Sequence, residues 1–290
     1  AYAVTGPFRQ APEMIDFFSR TFGPYPYGEL RHVQSSTIFG GMENSTVIFY
    51  DEGGYRSRRM TDGLVAHETA HQWFGNSATE ADWHHLWLSE GFATYAAALW
   101  AGHTRGDSAL RNTMANNRES VLRSAASDRP IIDPEATDLL GLLNTNNYPK
   151  GAWVLHTLRS LVGDSTFFRG VRRYYRTYTH GTALSSDFAA IMTEEAGRDL
   201  NWYFTQALTQ PGFPVFSVAT ALTGGTLTIT LTQTQKAAWG VFRIPNLALQ
   251  LGGPTGRRLE AGVTGRTTTV RTNWTGPTPP AVTLDPDGHW

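Results

Sequence analysis

Two domains, together of the α+β class, are what this sequence predicts: a mainly helical domain first and a small all-β sandwich after it. Three observations carry the expectation. The chain has 290 residues, above the usual size of one domain. Apolar residues recur at helical spacing through most of the first 210 positions. Beyond Pro211-Gly-Phe-Pro214 the texture changes to Thr/Val/Leu alternation broken by Gly and Pro, the pattern of short sandwich strands. The expected domains are therefore 1–210 and 211–290.

The elements follow in order. Glu13 to Arg20 has helical spacing and follows Pro12, a good first-turn residue. Phe22 to Gly28 is rich in turn residues. Leu30 to Ile38 and Thr46 to Tyr50 read as extended runs separated by Gly40-Gly41. Leu64 to Phe74 and Trp87 to Trp100 return to helical spacing, as do Trp153 to Val162, Phe167 to Tyr178 and Phe188 to Glu195. In the tail, Leu227 to Thr232, Arg243 to Leu251 and Thr267 to Thr272 alternate as strands. Trp73, Phe74 and Trp153 are expected in the core. No internal repeat or low-complexity tract interrupts the chain.

Composition removes several function classes. Lys plus Arg number 24 against 25 for Asp plus Glu, so no basic excess draws the chain to phosphate backbones, and no nucleic-acid partner is expected. Cysteine is absent, which excludes disulfides, thiol nucleophiles, iron–sulfur clusters and Cys-based zinc sites. Any metal must be held by His, Asp or Glu. No apolar run approaches the ~18 residues of a membrane span, so no membrane partner is expected either.

The chemistry concentrates in His67-Glu68-Thr69-Ala70-His71. On a helix, residues i and i+4 share a face, so both imidazoles can reach one zinc while Glu68 flanks the same point. The bland alternative, a surface helix that happens to carry two histidines, is weak: an H-E-x-x-H arises by chance in about one such chain in a hundred. Zinc needs a third protein ligand. Glu90 follows in Trp87-Leu-Ser-Glu90-Gly-Phe-Ala93, at the start of the next helical run. A lone helical Glu is more often a solvated surface residue, but this one sits among Trp87, Leu88, Phe92 and Tyr95. A carboxylate in such surroundings calls for a cation.

Four segments together carry a resemblance: Gly40-Gly-Met-Glu-Asn44, His67-Glu-Thr-Ala-His-Gln-Trp-Phe-Gly-Asn76, Trp87-Leu-Ser-Glu-Gly-Phe-Ala93 and Tyr148-Pro-Lys-Gly-Ala152. In order and spacing the chain resembles the aminopeptidase N family of gluzincin metallopeptidases, across roughly residues 20 to 215. The resemblance implies a thermolysin-like zinc catalytic domain, and the tail is similar to the β-domain that follows it in many members. It implies one zinc ion held by His67, His71 and Glu90, with Glu68 as general base for the attacking water. Glu43 would bind the free α-ammonium of a peptide, restricting cleavage to the N-terminal bond. Tyr148 would donate to the developing oxyanion. Gly40 and Gly41 would run beside the substrate, and Met42 lines the first side-chain pocket or packs in the core. Alone, Tyr148 reads as a packing residue; only its Tyr-x-Lys-Gly-Ala context reverses that.

Other residues keep plainer readings. His84 and His85, where relatives commonly carry an acid, read as surface or structural histidines rather than a second metal site. Arg172 and Arg173 read as a solvated face. Lys150 receives no catalytic task.

Relatives carry an N-terminal β-domain before the position of Phe22, and nothing here corresponds to it. The expected partners are therefore peptides with a free N-terminus and a complementary N-terminal domain, as a separate or cleaved chain. The favoured function is a zinc aminopeptidase. Three alternatives stand beside it: a thermolysin-like endopeptidase, a catalytically silent fragment that binds a partner domain, and a structural β-sandwich adaptor.

Overall fold

The computed structural model describes residues 6–290; residues 1–5, the start of the first expected domain, lie outside it. The described chain divides into two compact units. One comprises residues 6–126 with Ile131–Phe204, the other Ser127–Pro130 with Thr205–Trp290.

In the first unit, α1 (Ala11–Phe22) repeats its buried residues every fourth position, Met14, Phe18 and Phe22, after Pro12 in its first turn. A three-stranded sheet follows, built from β1 (Arg31–Ser35), β2 (Gly41–Met42) and β3 (Val47–Asp51) in the order β1-β3-β2. β1 runs parallel to β3 and β2 antiparallel to it, with Met42 opposite Phe49. On β3, Ile48 and Tyr50 are buried while their neighbours are half-buried, the period-two signature of a strand with one covered face. The short α2 (Glu52–Arg56) is capped by Asp51, whose Oδ2 accepts the Gly54 N–H at 2.7 Å.

Two helices carry the motifs, α3 (Asp62–Ala70) and α4 (Trp87–Arg105). They are followed by α5 (Asp107–Leu122), α6 (Gly151–Val162), α7 (Asp164–Tyr178) and α8 (Ser185–Ala196). A small parallel pair, β4 (Ala78–Glu80) with β5 (Gly181–Ala183), joins the chain after α3 to the chain after α7. An aromatic cluster binds these helices: Phe74 to Phe92 at 4.4 Å between centroids, Phe92 to Phe188 at 5.2 Å, and Tyr174 to Phe188 at 5.1 Å. Trp73 and Phe74 are fully buried, as expected of core residues. Trp153 departs from that expectation. It is half-buried, because its indole N–H reaches out to the Met114 carbonyl at 3.0 Å.

Besides the short α2, two helices escape sequence reading. On α5 only Met114 and Val121 are buried, so it has no apolar stripe to recognise. The other, α9 (Asn201–Thr209), runs up to the Pro-Gly texture change, and the division between the units falls inside it.

The second unit is a sandwich of two three-stranded sheets. β6 (Phe216–Thr223), β7 (Thr226–Gln233) and β10 (Thr267–Asn273) form one, in the order β10-β7-β6. β8 (Ile244–Leu251), β9 (Arg257–Val263) and β11 (Val282–Leu284) form the other, in the order β11-β8-β9, and every pairing is antiparallel. The inner faces meet in one core, Leu227, Ile229 and Leu231 of β7 against Ile244, Leu247, Leu249 and Leu251 of β8, with Ala261 and Val263 of β9. Ser127–Pro130 belongs here because the Asp128 carboxylate accepts from Lys236 at 2.6 and 2.9 Å and from the Trp239 indole at 2.9 Å.

Candidate active site

The site begins with the cap of α3. Thr61 Oγ1 accepts the Leu64 N–H at 3.1 Å, and Asp62 stands in the first turn, where the helix dipole favours an acid. Val65, Ala66, Thr69 and Ala70 bury one side. The regular helix ends at Ala70, short of the expected Phe74, because Gln72 and Trp73 bond three residues back and the chain turns at Gly75. His71 still keeps helical dihedrals and its N–H still bonds the His67 carbonyl at 3.3 Å, so the i, i+4 relation survives the helix end.

α4 brings the third group. Glu90 lies in its first turn and is 5% exposed, on a stretch of helix where Trp87, Leu88 and Phe92 are buried too. Its Oε2 stands 3.2 Å from His67 Nε2 and 3.3 Å from His71 Nε2, and the two imidazole nitrogens are 3.0 Å apart. Zinc bonds of about 2.0–2.1 Å in a tetrahedron set ligands about 3.3 Å apart, so this donor set fits the ion. His71 Nδ1 is 3.1 Å from the Phe74 carbonyl, which can only accept; Nδ1 therefore carries a proton, and Nε2 is the nitrogen that faces the site. Burial alone would lower the His71 pKa, yet the facing carboxylates, Glu90 first, carry it up to about 10. Burial alone would raise Glu90, and the two imidazoles hold it well below the usual carboxylate range instead. The acidic surroundings that hold a proton on His71 would also attract a divalent cation, which would displace that proton on binding.

Tyr148 arrives from a π-helical turn, Asn146–Lys150, that leads into α6. The turn packs on α4 where Gly91 meets Gly151: a Cβ on Gly91 would fall 2.9 Å from the Gly151 backbone, so only glycine permits the approach. Tyr148 donates its hydroxyl to Glu90 Oε1 at 2.8 Å, and its ring lies parallel to that of His67 at 6.0 Å. Burial, with Glu90 and its neighbours, pushes the phenol well above its ordinary pKa, so it acts only as a donor.

Glu68 packs against β2 and is 5% exposed, with a carboxylate oxygen within 4.8 Å of a His71 ring nitrogen. Burial raises its pKa, and Glu43 and Glu90 add to the rise against the two imidazoles. Gly41 is what gives it room. A Cβ there would sit 2.2 Å from Glu68 Cδ and Oε1. Gly40 is different: it is exposed, with nothing nearer such a Cβ than the Leu64 side chain at 3.9 Å. Met42 is half-buried in β2. Glu43 follows β2, and its carboxylate lies within 4.8 Å of the donor atoms of both Glu68 and His71.

The tertiary structure thus gathers His67, His71, Glu90, Tyr148, Glu68, Gly41 and Glu43 around one point and leaves Gly40 facing outward. The histidines read as structural are so placed. His84 pairs with Asp82 at 2.7 Å, and His85 bonds Ser185 Oγ at 2.7 Å, an oxygen the Trp87 indole also uses. Among the described residues, neither joins a cluster of metal-ligating atoms. Arg172 is exposed and Arg173 pairs with Glu194 and Glu195. Two residues of the site carried no role in the sequence reading, Gln72 and Asn76. Both lie inside the quoted H-E-x-x-H segment, and both side chains donate to the Glu43 carbonyl.

Comparison with known proteins bears on the family. A model of the peptidase family M1 domain matches residues 7–206. The chain is 29% identical over 228 residues to a probable aminopeptidase 1 of Sulfurisphaera tokodaii, covering 72% of this chain and 28% of that protein. A solved M1 zinc metallopeptidase of Deinococcus radiodurans, a mutant bound to a Tyr-Ser-Ala substrate, is 27% identical with a TM-score of 0.61, over 70% of this chain and 44% of that one. Aminopeptidase A of Legionella pneumophila, at 18% identity, shares the fold with a TM-score of 0.74 over 95% of this chain and 33% of that one. The chain spans about a quarter of the length of the curated relatives it matches.

Proposed function

The chain belongs to peptidase family M1, and on that premise we propose that it forms the catalytic part of a zinc aminopeptidase that hydrolyses the N-terminal bond of peptides. The observation that carries the exopeptidase reading is the position of Glu43. In an N-terminal residue the ammonium nitrogen and the scissile carbonyl carbon are only about 2.5 Å apart. An anion for the one must therefore stand close to the groups that act on the other, and Glu43 lies within 4.8 Å of Glu68 and His71. An internal peptide brings no positive charge to that place and leaves Glu43 unpaired, which disfavours it.

His67, His71 and Glu90 would hold the zinc, which when bound supplies Lewis acidity to the scissile carbonyl and to the attacking water. Glu68, buried and with a raised pKa, accepts the proton of that water and delivers it to the leaving nitrogen. Glu43 holds the ammonium and so sets which bond lies beside Glu68. Tyr148 turns its hydroxyl from Glu90 Oε1 to the carbonyl oxygen as negative charge develops there.

Hydrolysis of a leucyl anilide by the zinc-loaded chain, beside the same compound with its amine acetylated, tests the proposal. Cleavage of the free-amine form alone is expected. Equal cleavage of both would replace the reading with an endopeptidase-like site. Cleavage of neither by a zinc-replete, folded chain would favour the silent fragment.

A further inference from the structure

We infer that Gln72 is a positioning residue that fixes the amine anchor to the metal-bearing helix, with Asn76 as its second support. The inference rests on the reading of Glu43 as that anchor. Glu43 follows β2 in an irregular stretch that no strand partner holds, a poor platform for a carboxylate that must be placed to within an ångström. What holds it is the side chain immediately after His71. Gln72 is fully buried. Its Nε2 donates to the Glu43 carbonyl at 3.1 Å, while its Oε1 accepts the Thr46 N–H at 2.9 Å. One amide therefore grips the loop on both sides of Asn44-Ser45. The Asn76 side chain donates to the same Glu43 carbonyl.

The loop carries a mark of being held. Thr46 has φ of +67°, a left-handed conformation that a β-branched residue takes only when its surroundings impose it. The Gln72 acceptor on its N–H, with the Arg31 N–H on its carbonyl at 2.8 Å and the Val47 N–H on the Asn44 carbonyl at 3.0 Å, supplies that imposition. Because Gln72 adjoins His71 in the chain, any shift of the anchor relative to the metal ligands has to break this grip. The effect on the reaction is then geometric: the clamp keeps the ammonium site and Glu68 at the spacing one amino-acid residue requires.

Gln72→Glu separates this role from simple packing, since it keeps the acceptor for Thr46 and places an oxygen against the Glu43 carbonyl. In the zinc-loaded chain, KM for leucyl anilide should rise roughly tenfold or more, the scale on which a displaced positioning contact acts, with zinc content unchanged and a lower melting temperature, since an oxygen then faces a carbonyl in a buried place. In a Glu43→Ala background, which retains the backbone carbonyl but has no anchor to position, the same substitution should leave KM where Glu43→Ala alone puts it. An unchanged KM for Gln72→Glu, or an equal effect in both backgrounds, overturns the inference. Asn76→Ala, at a half-buried position, carries the same cycle with a smaller KM rise should the Gln72 variant not fold. If Glu43→Ala itself leaves the preference for a free amine intact, the anchor reading fails, and the inference falls with it for that separate reason.

Discussion

Replacing Gly41 by alanine tests the packing that aims Glu68. A Cβ built on Gly41 lies 2.2 Å from Glu68 Cδ and Oε1 and 2.6 Å from Cγ. Gly41 has no positive φ, so an alanine backbone fits and the whole cost is space. Ordinary contact begins at 3.4 Å, so the carboxylate or the strand must give way by about 1.2 Å. Glu68 is 5% exposed and held on α3, so overpacking of this kind is expected to cost ~1–3 kcal/mol. A proton acceptor displaced that far should also lose roughly a hundredfold in kcat. The assay is urea unfolding of Gly41→Ala, measured once in the wild-type chain and once with Glu68→Ala, which removes all three atoms the new methyl strikes. The second background should recover at least about 1 kcal/mol of the penalty. Equal penalties in the two backgrounds would refute the reasoning, because the methyl would then be meeting something other than Glu68.

Four further outcomes follow from the same geometry. Glu68→Gln should retain zinc while losing roughly 10²–10⁴ in turnover, and metal analysis showing zinc loss would contradict its placement outside the ligand set. Tyr148→Phe should lower kcat by roughly 10²–10³ with little change in KM; kcat within twofold of wild type would count against the donor role. Burial sets two opposed pH responses. It lowers His32 from 6.5 to about 4, so below pH 6.5 the unfolded chain takes a proton that the fold refuses, and stability falls as pH falls through that window. It raises Glu80 from 4.5 to about 7, so above pH 4.5 the unfolded chain sheds a proton that the fold keeps, and stability falls as pH rises towards 7. Relative to wild type, His32→Gln should gain stability towards acid and Glu80→Gln towards neutrality, and urea curves that stay parallel from pH 4 to 8 would rule this out. Thr61→Ala, which uncaps α3, should cost about 1 kcal/mol in the same unfolding assay.

What could be read in the chain beforehand divides along physical lines. β7 and β8 are the central strands of their sheets, bury one face, and so show alternation; β7 buries every second residue. The edge strands β6, β9 and β11 went unread, because β6 is exposed along most of its length and the other two are short or weakly patterned. The helix α5 was silent for the related reason that only two of its residues face the core. At the site, the aminopeptidase N-like motifs named the family correctly, as the match over residues 7–206 bears out.

Elements whose information is local are legible before folding. An i, i+4 pair on a helix puts His67 and His71 side by side whatever surrounds it, and the apolar neighbours of Glu90 announce that its carboxylate is buried. Features that depend on groups far apart in the chain emerge on folding. Gly41 is needed for the body of Glu68, 27 residues on, and Tyr148 meets Glu90 because Gly91 and Gly151 let two backbones touch. Glu43 is held through its own carbonyl by Gln72 and Asn76. A backbone carbonyl has no side-chain identity to read, and a close approach is a property of two surfaces at once. Neither can be seen until the chain is folded.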